Sequence, residues 1–186
     1  MSESTRKVVP LRRRPLDIAF VAFFAVNLGF VTYIVDLESL VISDPNHFRY
    51  PVWPPPPLVD LVHWWGREFD PLLMARPAFW RMTIWIDVLL FGPFYVAAIY
   101  AFVKGKEWIR PFAFVWAGMM LSNVLIILLE EADGIDATPR FGIVFLANLA
   151  WLVMPILLIV RLVRAPQPFT EPVTAPLVAA PETVPG

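Results

Sequence analysis

Four apolar runs, each long enough to cross a bilayer, decide what this chain can fold into. Residues 16–35, 79–103, 112–129 and 141–160 carry very few charges, and about 20 apolar residues rising 1.5 Å each span a hydrocarbon core. Lipid offers no water to backbone N–H and C=O groups, so each run must close its own hydrogen bonds as a helix. The expected fold is therefore all-α, a four-transmembrane-helix bundle. The first run exceeds the apolar core of a signal peptide, about 7–15 residues, and no small-residue cleavage site precedes Asp36-Leu37-Glu38. It reads as an anchor. Composition agrees, with 58% hydrophobic residues and a mean hydropathy of +0.64, against about 45–50% apolar in soluble domains.

Three segments follow from these runs. Residues 1–15 are a basic N-terminal segment (Arg6, Lys7, Arg12, Arg13, Arg14), 16–164 the membrane domain, and 165–186 a disordered tail of Ala, Pro, Val, Thr and Glu. The connection 36–78 holds Pro54 to Pro57, which lack amide donors and predict an extended stretch. After it, apolar positions 58, 61, 62, 65 and 69 recur at helical spacing opposite Asp60, Arg67 and Glu68. This predicts a short interfacial helix in the first non-cytoplasmic loop. Pro111 suits the first turn of the third helix, where its missing donor costs nothing. The flanks holding Arg6, Lys7, Arg12 to Arg14, Lys104, Lys106, Arg110, Arg161 and Arg164 have about twice the basic residues of the opposite side, which puts both termini in the cytoplasm.

Several chemistries drop out. Without cysteine there is no disulfide, thiolate metal site or cysteine nucleophile, and His47 and His63 alone do not make a histidine cluster. No metal or cofactor is expected. No basic stripe interleaved with aromatics exists outside the N-terminal run, which argues against a nucleic-acid partner.

What remains is a thin polar layer. Counted inward from the non-cytoplasmic ends, Asn27 lies roughly 13 Å deep, Asp87 roughly 12 Å, and Asn123 and Asn148 roughly 10 Å. Groups of this kind in a span are costly unless they face protein or water. Amides often only link neighbouring helices, whereas Asp87, with no base on its span nearer than Arg81, points to function. Asp36 is expected to end the first helix and Glu130 to stand two turns from Asn123 on the same face, so both carboxylates would guard the mouth of the layer. Pro93, after Gly92, and Pro155 are expected to kink the second and fourth helices, freeing the carbonyls of Leu89 and Trp151. Trp85, Trp116, Trp151, Tyr95 and Tyr100 are candidates for the flat walls of the resulting cavity.

These residues carry a resemblance. Trp64-Trp65-Gly66-Arg67-Glu68-Phe69-Asp70-Pro71-Leu72-Leu73, then Pro93 followed by Ala98-Ile99-Tyr100-Ala101-Phe102, then Lys104-Gly105 and Trp108-Ile109-Arg110 resemble the EXPERA-domain family over roughly residues 16–164. That family takes in the sigma-2 receptor and the emopamil-binding protein, a sterol Δ8–Δ7 isomerase. The resemblance implies that Asp36 is an acidic anchor for a ligand amine, Asp70 a structural aspartate, and Asp87 a pocket acid. It further implies that Glu130 matches a catalytic carboxylate and that Asn148 and Trp151 line the pocket. The isomerase also carries a His and a Glu one turn apart on the helix corresponding to the first span, where this chain offers only Asn27 and Thr32.

The leading expectation is a binder of a sterol-like or other polycyclic lipid, and of hydrophobic amines. Its ligand-binding residues would be Asp36, Asp87, Tyr95, Asn123, Asn148 and Trp151, with Asp70, Pro93 and Pro155 structural. A double-bond isomerase using Asp87 and Glu130 as acid and base, and a trafficking chaperone without small-molecule chemistry, are the alternatives. Membrane lipid is an expected partner, and a homodimer is left open. The lack of an Asn-x-Ser/Thr sequon and of a lysine-rich retrieval ending leans toward a bacterial plasma membrane over the endoplasmic reticulum.

Overall fold

The computed structural model describes residues 6–173. Residues 1–5 of the expected basic segment and 174–186 of the expected tail lie outside them. Four helices long and apolar enough to cross a membrane run through the molecule: α1 (Pro15–Val41), α4 (Ala78–Lys104), α5 (Ile109–Asp133) and α6 (Phe141–Arg164). Between α1 and α4 sit two shorter helices, α2 (Pro56–Glu68) and α3 (Pro71–Ala75). A small antiparallel ribbon, β1 (Arg6–Val8) with β2 (Thr170–Pro172), joins the two ends of the chain. α1 packs on α4 and α5 on α6, giving a bundle with a terminal end, where β1 and β2 lie, and a loop end, where α2 and α3 lie.

The spans outrun the apolar patterns that announce them. α1 continues beyond residue 35 to Val41, so Asp36 lies inside a helix instead of ending one. The reason is local satisfaction of charge. Glu38, fully buried, receives hydrogen bonds from Arg76 Nη2 at 2.8 and 3.0 Å and from His63 Nε2 at 2.7 Å. Arg76 also donates from Nε to the Leu73 carbonyl at 3.0 Å and from Nη1 to the Ile42 carbonyl. A helix can carry a carboxylate this far because two other elements, α2 and the end of α3, neutralise it.

The prolines divide differently from expectation. Pro55 is extended (φ −68°, ψ 152°), the Trp53–Pro54 bond is cis, and Pro56 and Pro57 are the first two residues of α2. First-turn positions need no amide donor, so prolines begin the helix instead of delaying it. α2 buries Val59, Val62, His63 and Gly66 against the bundle. Asp70 caps α3 by accepting from the Leu73 N–H at 3.1 Å, and Arg76 ends α3 in the left-handed region (φ 50°). α4 ends at Gly105 (φ 65°), with the Lys106 N–H returning to the Ala101 carbonyl at 2.8 Å. A Cβ there would be strained and would also strike Val8 of β1.

Both proline-bearing spans are continuous helices. α6 runs unbroken through Pro155. In α4 the chain widens into a π-helical segment, Asp87–Phe91, just ahead of Gly92 and Pro93. The Gly92 N–H bonds back to the Asp87 carbonyl, so the wide turn closes one residue ahead of the proline nitrogen. α1 holds a second π-helical segment, Asn27–Asp36. Gly92 lets the two segments approach, since a Cβ there would lie 3.0 Å from Tyr33 Oη and 3.2 Å from Thr32 Cγ2.

The terminal half of the bundle is an aromatic core. Phe24 is fully buried, with ring centroids 5.4 Å from Trp116 and 5.8 Å from both Tyr95 and Phe102. Phe169, from the segment expected to be a disordered tail, is fully buried edge-on to Phe102 at 4.9 Å. Arg14 stacks over its ring at 5.0 Å, bonds Asp17 at 2.8 Å, and donates to the Phe102 carbonyl at 2.7 Å. Arg161 closes on the other Asp17 oxygen at 3.3 Å. Residues 165–173 are thus ordered because one aromatic ring and an ion network hold them, which local composition does not reveal. A second apolar cluster, Val62, Leu72, Leu73, Trp80 and Ile84, fills the loop end.

Candidate functional site

Between these two clusters lies a cavity of about 360 Å³, in the half of the bundle nearer the loop end. All four spans reach it. α1 contributes Phe30, Val31, Val35 and Asp36, and α4 contributes Trp80, Thr83, Ile84, Asp87 and Phe91. α5 adds Met120, Asn123, Val124 and Ile127, while α6 adds Ala147, Asn148 and Trp151. Leu61, Val62 and Trp65 of α2, with Asp70 and Leu73, cover the loop end. Both acids that α1 and α4 give the cavity, Asp36 and Asp87, sit within the two π-helical segments, where the wider turn re-aims side chains relative to a regular helix.

The walls are apolar and aromatic except for a few polar groups. Among the described residues that line the cavity, three are carboxylates (Asp36, Asp70, Asp87) and none is Lys, Arg or His. Asp36 is 6% exposed and Asp87 9%. The Thr32 hydroxyl donates to Asp87 Oδ1 across the α1–α4 contact, and Asp36, four residues beyond Thr32 on α1, lines the same cavity as Asp87. Two like charges in one apolar wall repel one another, so a cation placed against them relieves repulsion as well as gaining attraction. Trp151 presents its ring to the cavity while its indole Nε1 donates to Asn27 Oδ1 at 2.6 Å, and Asn27 Nδ2 donates to the Phe23 carbonyl at 2.8 Å. Asn27 is thereby a positioning residue for Trp151. Asn148 ties its Nδ2 to the Val144 carbonyl at 2.9 Å, which turns its amide oxygen away from its own helix backbone.

The structure brings together Asp36, Asp87, Asn123, Asn148 and Trp151, and adds Asp70 to the lining. Other expected residues go elsewhere. Tyr95 is fully buried in the aromatic core, 6.0 Å from the Trp116 ring, and among the described residues its hydroxyl has no hydrogen-bond partner. Trp116 is core as well, and Trp85 and Tyr100 face outward. Glu130 does not line the cavity. It shares a helical face with Asn123, but seven residues further on it lies about 10 Å along the axis, and the cavity wall stops before it. Its carboxylate folds over Gly134 and accepts from the Asp136 N–H at 3.2 Å. Asp87 and Glu130 therefore do not form an acid–base pair at one cavity.

The residues that sequence reasoning passed over had usable signals. Trp65 belongs to the apolar face already legible on α2. Trp80 and Ile84 sit one turn apart, and Thr83 between them bonds its own helix at the Trp80 carbonyl, 2.8 Å away. Glu131 is fully buried and, among the described residues, both of its carboxyl oxygens lack a hydrogen-bond partner. It continues the Met120–Val124–Ile127 stripe of α5 one turn further, which is the stripe that lines the cavity.

Comparison with known proteins gives the same assignment. The family model described as EXPERA (EXPanded EBP superfamily) matches residues 57–162, from α2 almost to the end of α6. The chain is 28% identical over 124 residues to sigma intracellular receptor 2 of Macaca fascicularis and 28% identical over 123 residues to that of Homo sapiens, covering 64% of each chain in both cases. Against sigma intracellular receptor 2 of Xenopus tropicalis it is 27% identical over 165 residues, 83% of this chain and 91% of the relative. The chain thus spans just under two thirds of the macaque and human relatives and nearly all of the frog one. With the family model covering more than half of its length and four membrane-spanning helices built around one cavity, this multi-pass membrane protein belongs to the EXPERA (EXPanded EBP superfamily) family.

Proposed function

We propose that the chain binds a sterol-like or other polycyclic hydrophobic ligand, or a hydrophobic amine, inside the bundle, with Asp36 and Asp87 as its anchor. One observation carries this reading: a cavity of about 360 Å³ whose aromatic walls hold a carboxyl pair with no base beside it. The volume falls within the range of small-molecule sites, about 300–1,000 Å³. An amine that leaves water for such a cavity must find a carboxylate to offset its lost hydration. Phe30, Trp65, Trp80 and Trp151 supply flat faces for a ring system and for a cation, and the Asn123 and Asn148 amides suit a hydroxyl. The isomerase reading with Asp87 and Glu130 as acid and base has less support, because Glu130 lies outside the cavity that Asp87 lines.

Both termini are assigned to the cytoplasm. The β1–β2 ribbon holds the two ends of the described chain together, and Arg12, Arg13, Lys104, Lys106, Arg110 and Arg164 all belong to that end of the bundle. On the loop end, Arg76 and Arg140 are matched by Glu38 and Glu68. The membrane is a bacterial plasma membrane or that of the endoplasmic reticulum.

Two measurements test the function. Mass spectrometry of protein purified in mild detergent should find a polycyclic lipid at stoichiometric level, whereas a chaperone with an empty cavity should bring none. Removing one partner of a buried charge pair costs about 2–5 kcal/mol, so Asp36→Asn or Asp87→Asn should weaken binding of a hydrophobic tertiary amine by more than about tenfold. Unchanged affinity in both variants, at normal thermal stability, refutes the assignment of this cavity as the amine site.

A further inference from the structure

Asp36 reaches the cavity from a stretch of α1 that other elements hold on both sides. Two residues beyond it, Glu38 accepts from Arg76 at 2.8 Å and from His63 of α2 at 2.7 Å. Three residues before it, the Tyr33 carbonyl accepts from the indole Nε1 of Trp53 at 2.8 Å. Trp53 does not line the cavity, and its ring is half-exposed in the connection between α1 and α2. The first hold is charge compensation. The second needs another explanation, because a regular helix already pairs each interior carbonyl with its own backbone.

α1 is not regular here. In an α-helix the Tyr33 carbonyl would accept from the Leu37 N–H, four residues on. The Leu37 N–H bonds instead to the carbonyls of Thr32 and Ile34, closing a wide turn that passes around Tyr33. The Tyr33 carbonyl has thus lost its ordinary donor, within a span where lipid supplies none. Trp53 provides one from outside the helix. Asp36 lies in the same wide turn, between Thr32 and Leu37. Were the Leu37 N–H to return to Tyr33, the turn would tighten with no residue removed, and the Asp36 carboxyl would swing about the helix axis away from its present aim. Trp53 holds the acceptor that this return requires.

We infer that Trp53 is a positioning residue for amine recognition: its indole N–H keeps open the wide turn that aims Asp36 into the cavity. This rests on the cavity being the amine site, and it assigns ligand selectivity to a side chain outside the cavity wall.

The test compares a hydrophobic tertiary amine with its neutral isostere, in which CH replaces the nitrogen, by calorimetry on the full chain. Wild-type protein should favour the amine by about tenfold or more. Trp53→Phe keeps an aromatic ring and removes the N–H, so it should weaken amine binding about fivefold while leaving the isostere within about twofold. Replacing Trp53 by benzothienylalanine, the same shape with sulfur in place of N–H, should have the same effect, and it tests the donor even where Trp53→Phe does not fold. Trp64→Phe, at a half-exposed tryptophan of α2 that also stands outside the cavity, should leave both affinities unchanged. An amine preference that survives removal of the N–H overturns the inference and leaves the amine site standing. Equal losses for amine and isostere also overturn it, by showing that Trp53 supports the fold alone. A wild-type protein with no preference for the amine overturns the amine site itself and the inference with it.

Discussion

Replacing Arg76 by alanine should be among the most damaging single changes outside the cavity. Its guanidinium holds both oxygens of Glu38, at 2.8 and 3.0 Å, and two backbone carbonyls, all of it buried. The substitution leaves Glu38 in the interior with only His63 and Ser39 as donors. Breaking a buried ion pair from one side costs about 3–5 kcal/mol, and each kcal/mol moves the midpoint of a chain this size by about 2–4 °C. A fall of roughly 6–20 °C in the unfolding midpoint, measured in detergent at a fixed scan rate, is therefore expected. The double variant Glu38→Met with Arg76→Met removes both charges and keeps much of the volume, so it should recover at least half of the loss. A fall of less than about 3 °C for Arg76→Ala, or a double variant no better than the single one, refutes the claim that charge compensation carries α1 past Asp36.

Three further outcomes follow from the same geometry. Single cysteines at Ser43 and Glu107 should react with an impermeant reagent from opposite faces of the membrane, and same-side labelling would sink the four-span topology. Phe169→Ala should cost about 3–5 kcal/mol, because its ring is fully enclosed by Phe102 and Arg14; a loss below about 1 kcal/mol would mean that the terminal clasp is not part of the cooperative fold. Glu130→Gln should leave amine binding within about twofold of wild type, and the wild-type protein should put no deuterium into a Δ8-sterol during long incubation in heavy water. Label uptake that vanishes in Glu130→Gln would overturn the separation of Glu130 from the cavity.

The spans were legible because lipid enforces a simple rule: apolar length becomes helix. Their ends were not, since whether a helix continues past Asp36 depends on Arg76, forty residues later in the chain. In the site, Asp87, Asn123 and Asn148 could be placed by depth, because four antiparallel rods bring equal depths together, while Asp36 and Trp151 came from the helix end, the aromatic walls and the family resemblance. Depth says nothing about direction around the helix axis, and Tyr95, Trp85 and Tyr100 went astray for that reason. Glu130 failed in the other coordinate: its direction was right and its height was wrong. Glu131, which the helical stripe Met120–Val124–Ile127 points to, was overshadowed by the resemblance of its neighbour to a catalytic carboxylate. The ordered segment around Phe169 had no signal in its own composition, because its partners are Phe102 and Arg14.

The two wide segments, Asn27–Asp36 and Asp87–Phe91, have a consequence for how this chain can change length. A turn closed from i to i+5 stores one residue more than a turn closed from i to i+4. Deleting a residue there need not break the helix; it can return the turn to ordinary α winding. Everything downstream then keeps close to its phase and height, because the wide turn holds its extra residue within a single turn. In α1 that leaves Glu38 facing Arg76. Single-residue deletions in these stretches are therefore absorbed locally, whereas the same deletion in the regular α-helical parts rotates everything beyond it by about 100°, so a membrane helix can keep its span and its hydrophobicity while losing its aim.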